Sequence, residues 1–244
     1  MSGPHPARST LPTALLLDLD DTILDFEGGA VPSWRSVCEA ASDQVAGLDP
    51  AALFTAIDVA RDWLWADRER ARVGRTDLVE ATRLIVQRAL ASLGFDLPDL
   101  ARWTAETYRG LRDETIHPFP GAIDALSSFR EAGVRLALVT NGAAADQRRK
   151  IDRFGLAPFF EQILVEGEFG VGKPDERVYR HALDSLGVAP AQAWMVGDNL
   201  EWDVAGPQRL GVTGIWVDMA GRGLPESSPV RPDRIIRALP ELLP

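Results

Sequence analysis

The sequence is poor in cysteine and in long apolar runs. Its one cysteine, Cys38, excludes an intrachain disulfide, and it is interpreted as a small apolar side chain. No stretch is apolar for long enough to cross a bilayer, and the first residues lack the apolar region of a signal peptide. Because the reduced cytosol is the natural compartment of a chain without disulfides, these absences predict a soluble cytoplasmic protein.

The sequence also has fewer basic than acidic residues. Against 36 Asp and Glu residues there are 26 Lys and Arg residues, which gives a formal net charge of -10. A chain of this charge is not drawn to polyanions, so we expect no nucleic-acid partner and no membrane partner. An anionic substrate would therefore have to be held by a local positive feature.

The most informative stretch is a short apolar run that ends in acids. Leu15–Leu17 predicts a strand that is covered on both faces, and Asp18 and Asp20 follow it. Residues two apart in an extended chain point to the same side, so the two carboxylates would share one small site. Such a pair is stable when one acid is protonated or a cation lies between them, as in a metal-assisted acid, base or nucleophile. The alternative is a solvated turn, since Asp-Asp-Thr is ordinary turn chemistry.

The rest of the chain divides by its periodicity. Residues from about 31 to 115 favour about four helices, one of them starting at Asp49-Pro50, with breaks at 74–77 and 94–99. From His117 onward, strands alternate with helices up to a last strand at 214–217, which predicts a doubly wound, mostly parallel α/β sheet. We therefore predict a disordered N-terminus, a core in two pieces and an inserted helical domain, at residues 1–12, 13–25 with 116–244, and 26–115.

Polar side chains stand at the predicted carboxyl ends of these strands. Besides Asp18 and Asp20 they are Thr140, Asn141, Lys173, Asp198 and Asp203. Ligands bind beyond the carboxyl ends of the strands in this fold class, so we expect all of these side chains to meet at one edge. Each has an ordinary structural explanation when taken alone. Together they supply carboxylates for a hard cation, a hydroxyl and an amide as donors, and a lysine for an anion.

In this order the residues resemble the haloacid dehalogenase superfamily of aspartate-nucleophile hydrolases. Four motifs match, and they are Asp18-x-Asp20-x-Thr22, Thr140 after an apolar strand, Lys173 in Gly-Val-Gly-Lys-Pro, and Gly197-Asp198 followed by Asp203. The resemblance covers the chain from about Leu15 to Asp218. It implies a Rossmann-like core, and the helical insert is similar to the family's helical cap of the first type.

The resemblance also implies a role for each matching residue. Asp18 would be the nucleophile, Asp20 the general acid and base, and Lys173 the charge that neutralises Asp18 and phosphate. Magnesium would offset the repulsion between a carboxylate and a phosphate, and its ligands would be Asp18, the Asp20 backbone carbonyl and Asp198. The other implied roles are phosphoryl binding by Thr140 and the Asn141 backbone, orientation of Asp20 by Thr22, and orientation of water near the ion by Asp203.

Asp20 separates two branches of this superfamily. The dehalogenases lack this second aspartate, because a carbon–halogen bond needs no proton for its leaving group. Its presence implies hydrolysis of a small phosphorylated metabolite, a sugar phosphate or nucleotide, through an aspartyl-phosphate. The alternatives are a phosphosugar mutase, a 2-haloacid dehalogenase and a non-catalytic binding module, and the chain could be a monomer or a homodimer.

A stretch of the insert that is rich in arginine and tryptophan is the candidate for substrate recognition. Trp65, Arg68 and Arg72 are spaced by three and seven residues, so on one helix they would share a face, and Arg75 extends the pattern. That face would hold the non-reacting part of a substrate by charge and by stacking. The alternative is a solvated helix face with ion pairs to acids such as Glu69.

Overall fold

The computed structural model describes residues 11–244, and of Arg68 the backbone alone. The chain divides into two compact units, one formed by the residues up to Asp25 together with Pro118–Pro244, and the other by Phe26–His117. The predicted disordered N-terminus lies outside the described residues except for Leu11 and Pro12, which are partly buried. None of the described helices is long and apolar enough to cross a membrane.

The first unit is built on a six-stranded parallel sheet. Its strands in spatial order are β5 (Gln162–Val165), β4 (Arg135–Thr140), β1 (Ala14–Leu17), β6 (Ala193–Gly197), β7 (Thr213–Val217) and β8 (Arg234–Ile236). Two shorter strands, β2 (Leu24–Asp25) and β3 (His117–Pro118), form a separate pair. The order of the large sheet reverses beside β1, which confirms the predicted Rossmann-like fold and places a ligand crevice at the end of β1.

The second unit consists of five described helices, where about four were predicted. They are α1 (Ala30–Ser42), α2 (Pro50–Ala66), α3 (Arg68–Thr76), α4 (Leu78–Ser92) and α5 (Pro98–Thr115). The extra helix arises because Asp67 caps a new N-terminus, accepting a hydrogen bond from Arg70 N at 2.8 Å. The predicted break at 74–77 is confirmed at its end, since α3 continues through Gly74 to Thr76 and Asp77 caps α4.

Helices and tight turns join the strands of the first unit. The helices are α6 (Ala122–Glu131), α7 (Ala144–Arg153), α8 (Glu166–Phe169), α9 (Glu176–Leu186) and α10 (Gly206–Gln208), and a π-helical segment, Leu200–Ala205, precedes α10. All four residues of β1 are buried, and Leu16 belongs to a core cluster shared with Val139 of β4 and Tyr179 of α9. Full burial of each leucine contributes about 1.5–3 kcal/mol, so the strand that precedes Asp18 is firmly anchored.

Candidate active site

Asp18 stands at the end of the central strand. Leu17 is in register with Leu138 of β4 and with Val196 of β6, so the neighbouring strands end at almost the same level. The Asp18 amide continues the ladder by donating to Val196 O at 3.0 Å. Its side chain is buried, as expected for a group that the strand carries directly out of the core.

Lys173 joins Asp18 to a second carboxylate. Its ammonium nitrogen lies 2.6 Å from Asp18 Oδ1 and 2.6 Å from Asp203 Oδ1, and the lysine is only 3% exposed. One buried cation therefore serves two buried carboxylates. The remaining negative charge favours binding of a further cation near Asp18.

Asn141 fixes the loop that carries Lys173. The Asn141 Nδ2 group donates to Lys173 O at 2.7 Å, and Lys173 N donates to Asn141 Oδ1 at 2.7 Å. This reciprocal pair joins the end of β4 to a loop that is 32 residues further along the chain. The amide side chain thus positions the lysine, a function that the sequence analysis did not predict.

Asp203 is wholly buried and has both carboxylate oxygens occupied. Oδ1 accepts from Lys173, and Oδ2 accepts from the Asn199 amide at 3.0 Å. It packs so closely on Gly197 that a Cβ added there would lie 2.3 Å from Asp203 Cγ. A side chain at position 197 would therefore displace Asp203, which explains why glycine precedes Asp198.

Burial and like charge shift the acid–base equilibria of the cluster. Burial raises the pKa of Asp18 to about 7, Lys173 opposes the shift, and the carboxylate of Asp203 reinforces it. Asp198 is exposed on one side, yet the surrounding protein, followed by the charges of Asp18 and Asp203, raises its pKa as well. Burial alone would lower the pKa of Lys173, but attraction to Asp18 and Asp203 outweighs burial and raises it. A cation bound among these acids would relieve their mutual repulsion.

The donor set fits a hard divalent cation. Ligand oxygens of Asp18, Asp198 and Asp203 lie within 4.8 Å of one another. Because both oxygens of Asp203 are already hydrogen-bonded, Asp18 and Asp198 are the two side chains best placed to bind an ion. Carboxylate oxygens are the ligands that magnesium prefers, so these residues fit the predicted ion.

Asp20 is held by two residues of α7 that the sequence analysis missed. Lys150 Nζ lies 2.6 Å from Asp20 Oδ1 and 2.5 Å from Oδ2. The two hydrogens of Gln147 Nε2 are shared among three acceptors, which are Asp20 Oδ2 at 3.1 Å, Asn141 O at 2.8 Å and Thr140 Oγ1. Their spacing of three residues on a helix directly after Thr140-Asn141 is the sequence signal that could have revealed them.

Thr22 does not make the contact that its predicted role needs. Its hydroxyl oxygen is buried and has no hydrogen-bond partner among the described residues. The chain turns sharply after Asp20, because Asp21 adopts a left-handed conformation with φ 56° and Asp21 N bonds Leu24 O at 2.7 Å. Lys150 and Gln147 contact the Asp20 carboxylate instead, and an orienting role of Thr22 stays a prediction.

The predicted recognition face of the insert is not a single helical face. Trp65 lies in α2, whereas Arg68 and Arg72 lie in α3, because Asp67 interrupts the helix. Arg72 forms an exposed two-point ion pair with Glu69, at 2.6 and 3.0 Å. The spacing argument fails here because it assumed one continuous helix. A substrate contact by these residues stays a prediction.

Comparison with known proteins places the chain in a class of enzymes. A family model described as haloacid dehalogenase-like hydrolase matches residues 12–211. The match extends from just before β1 to just before β7, so it includes every strand that carries a side chain of the site. The chain belongs to the haloacid dehalogenase-like hydrolase family.

Individual relatives include phosphatases. The chain is 41% identical over 180 residues to a phosphoserine phosphatase from Thermus thermophilus, across 73% of this chain and 65% of that protein. It is 29% identical over 240 residues to a glyceraldehyde 3-phosphate phosphatase from Methanopyrus kandleri, across 94% of this chain and 97% of that one. Among solved structures, the hydrolase YfnB from Bacillus subtilis, bound to magnesium, matches with a TM-score of 0.73 and 25% identity over 96% of this chain and 97% of that one.

Proposed function

We propose that this protein is a magnesium-dependent phosphomonoesterase that acts on small phosphorylated metabolites through an aspartyl-phosphate. The observation that carries the proposal is the pairing of Asp18 with Lys173 at the end of β1. A buried carboxylate beside a buried ammonium is suited to attack a phosphoryl group, because the ammonium offsets the charge of both.

In the first step Asp18 attacks phosphorus. Within residues 11–244 the hydrogen-bond donor to the Asp18 side chain is Lys173, which takes Oδ1, so Oδ2 can form the new bond. As the oxygen–phosphorus bond forms, the ester bond to the leaving oxygen breaks. Asp20, protonated for this step, gives its proton to that oxygen and becomes a carboxylate.

In the second step water releases the phosphate. The Asp20 carboxylate takes a proton from the water as the water oxygen attacks phosphorus, and the bond between phosphorus and Asp18 breaks. Inorganic phosphate leaves, and both aspartates return to their starting state. Gln147 donates to Thr140 Oγ1, so the hydroxyl hydrogen of Thr140 can point to a phosphoryl oxygen during both steps.

Asp18 and Asp198 would hold magnesium, together with the backbone carbonyl of Asp20. When bound, the ion supplies positive charge next to the phosphoryl oxygens and so reduces their repulsion of the attacking carboxylate. Asp203 would act on this arrangement indirectly, because its hydrogen bond to Lys173 fixes the ammonium beside Asp18. The magnesium bound to the Bacillus subtilis relative supports this part of the proposal.

The substrate class follows from the relatives and from the second aspartate. Phosphoserine and glyceraldehyde 3-phosphate are small phosphorylated metabolites, and the proteins named for their hydrolysis resemble this chain over most of its length. A 2-haloacid dehalogenase would have no use for Asp20, whose carboxylate has two dedicated partners here. A binding module would have no need of a protonating residue.

The test is hydrolysis of nitrophenyl phosphate by the purified protein, with and without magnesium, followed by a screen of phosphorylated metabolites. We expect phosphate release that depends on magnesium and is abolished by a chelator. Chloride release from 2-chloropropionate would indicate the dehalogenase, and interconversion of sugar phosphates would indicate the mutase. Binding of phosphorylated metabolites without turnover under any divalent metal would indicate the binding module.

A further inference from the structure

Lysine is rare in this chain, and its use is confined to the site. The sequence contains two lysines, Lys150 and Lys173, and all of its other basic side chains apart from three histidines are arginines. Lys173 bonds Asp18, and Lys150 bonds Asp20. An ammonium is a compact charge that fits between oxygens in a confined space, whereas a guanidinium needs room for a planar fork. Both aspartates of the first motif therefore have an ammonium partner.

Lys150 reaches Asp20 from the buried face of α7. It is 7% exposed, and its nitrogen bridges both oxygens of the carboxylate. Gln147, one helical turn earlier, is 2% exposed and joins the same carboxylate to Thr140 and Asn141. One helix face thus ties the proposed general acid to the residues proposed to bind phosphate.

Asp20 depends on these contacts for a defined position. It follows the end of β1 by three residues, and beyond it the chain turns at Asp21. Its side chain is 23% exposed, and the hydroxyl of Thr22, which was predicted to orient it, makes no hydrogen bond to it. Without the donors of α7 the carboxylate could rotate towards solvent and away from a leaving oxygen.

We propose that Lys150 is a positioning residue for Asp20, and that it holds the carboxylate where a proton can pass to or from the reacting oxygens. This inference rests on the proposed phosphatase function and adds to it a residue outside the four motifs. Lys150 acts through Asp20 rather than on the phosphoryl group. Its loss should therefore reproduce a partial loss of Asp20 and should leave substrate binding intact.

The experiment compares Lys150→Met with the wild type on an alkyl phosphate and on nitrophenyl phosphate. In a single turnover, the variant should form the phosphoenzyme from the alkyl ester about 10- to 100-fold more slowly, which is a partial loss of the contribution of general acid catalysis. The loss on the nitrophenyl ester should be several-fold smaller, because that leaving group needs little protonation. KM for both esters should stay unchanged. Arg149→Met is the matched control, because Arg149 lies on the same helix and pairs with Asp146 at the surface.

A double variant separates positioning from a general structural role. In an Asp20→Asn background, Lys150→Met should cause no further loss on the alkyl ester, since the group that it positions is already disabled. Lys150→Gln, which keeps a neutral donor, replaces Lys150→Met if the latter fails to fold. Equal losses on both esters in the rate of phosphoenzyme formation, additive losses in the double variant, or wild-type kinetics would overturn the proposal. If the wild type hydrolysed no phosphate ester, the proposed function itself would fail, and this inference with it.

Discussion

The candidate active site in the first unit and the surface of the helical insert use charged side chains in different ways. In the first unit the pairs Lys173–Asp18 and Lys150–Asp20 join residues that are 155 and 130 positions apart in the chain. In the helical insert Arg72–Glu69 and Arg83–Glu80 each join residues three positions apart on one helix. The first kind of pair exists only in the folded protein, whereas the second kind forms wherever the helix forms.

The two kinds of ion pair differ in burial, and therefore in their contribution to stability. The Lys173 side chain is 1% exposed, whereas those of Arg72 and Glu69 are 58% and 69% exposed. Exposed pairs contribute about 0–1 kcal/mol, because water and salt screen them. Removal of one partner from a buried pair costs more stability, since it leaves the other charge buried and unpaired. The charges that the fold fixes therefore lie at the candidate active site, whereas the exposed pairs of the insert contribute little to stability.

The largest effect should follow from loss of the proposed nucleophile. Asp18→Asn replaces a carboxylate with an amide of nearly the same size, so the fold should persist. Turnover should fall at least about a thousand-fold, because an amide is a poor nucleophile. Phosphate release by the purified variant is the measurement, with deamidation back to aspartate excluded by mass spectrometry. Activity within tenfold of the wild type would remove Asp18 from this role.

Loss of a buried charge in the first unit should destabilise the protein much more than loss of an exposed charge in the insert. Lys173→Met leaves Asp18 and Asp203 facing each other without a cation, and the free energy of unfolding should fall by about 3–5 kcal/mol. Arg83→Met is the matched control in the insert, since it breaks only contacts with Glu80 and Gln87 on the same helix. That change should stay within about 0.5 kcal/mol.

Urea unfolding of both variants in the same metal-free buffer measures this difference. Similar losses for Lys173→Met and Arg83→Met would mean that burial does not separate the two kinds of pair. The contrast between the two units would then have no energetic basis.

The general-acid role of Asp20 should appear as a difference between its effects on alkyl and on nitrophenyl phosphates. Asp20→Asn should reduce turnover of alkyl phosphates about 100-fold or more, because their leaving oxygen needs a proton. Nitrophenyl phosphate should be less affected at the stage of phosphoenzyme formation, which a rapid burst of nitrophenol reports. Equal losses on the two esters at the stage of phosphoenzyme formation would take the general-acid role away from Asp20.

The sequence was sufficient for the parts of the fold that strong local patterns determine. The apolar run before Asp18 and the alternation after His117 correctly predicted the parallel sheet. β8 was missed because Arg234–Ile236 is short and begins with an arginine, so it carries little strand signal. The number of helices in the insert was wrong because Asp67 could be read either as a surface acid or as a helix cap.

The site was predictable where a residue directly follows a strand. Asp18 and Thr140 lie at strand ends, and the fold rule brings such positions together. Lys150 and Gln147 lie inside a helix, where basic and amide side chains usually face solvent, so their contact with Asp20 depends on tertiary packing. Asn141 was predicted as a site residue. Its side-chain hydrogen bond to the Lys173 backbone was not, because that bond depends on a loop position that no local pattern reveals.

The smallest effect concerns the arginines of the insert. Arg68 and Arg72 stay candidates for recognition of the non-reacting part of the substrate, although they do not share a helix with Trp65. Arg68→Ala and Arg72→Ala should leave kcat/KM on nitrophenyl phosphate within about twofold, because such contacts act on binding rather than on bond breaking. On the best metabolite from the screen the same changes should reduce kcat/KM several-fold.

The melting temperature distinguishes recognition from a structural role. Arg72 already pairs with Glu69 at the surface, so its removal should shift the melting temperature little. Glu69→Ala is the matched control, since it breaks the same pair but keeps the arginine. If Arg72→Ala and Glu69→Ala behave alike on the metabolite, the arginine serves only the ion pair. A loss that is confined to Arg72→Ala and to the metabolite would place substrate recognition on α3.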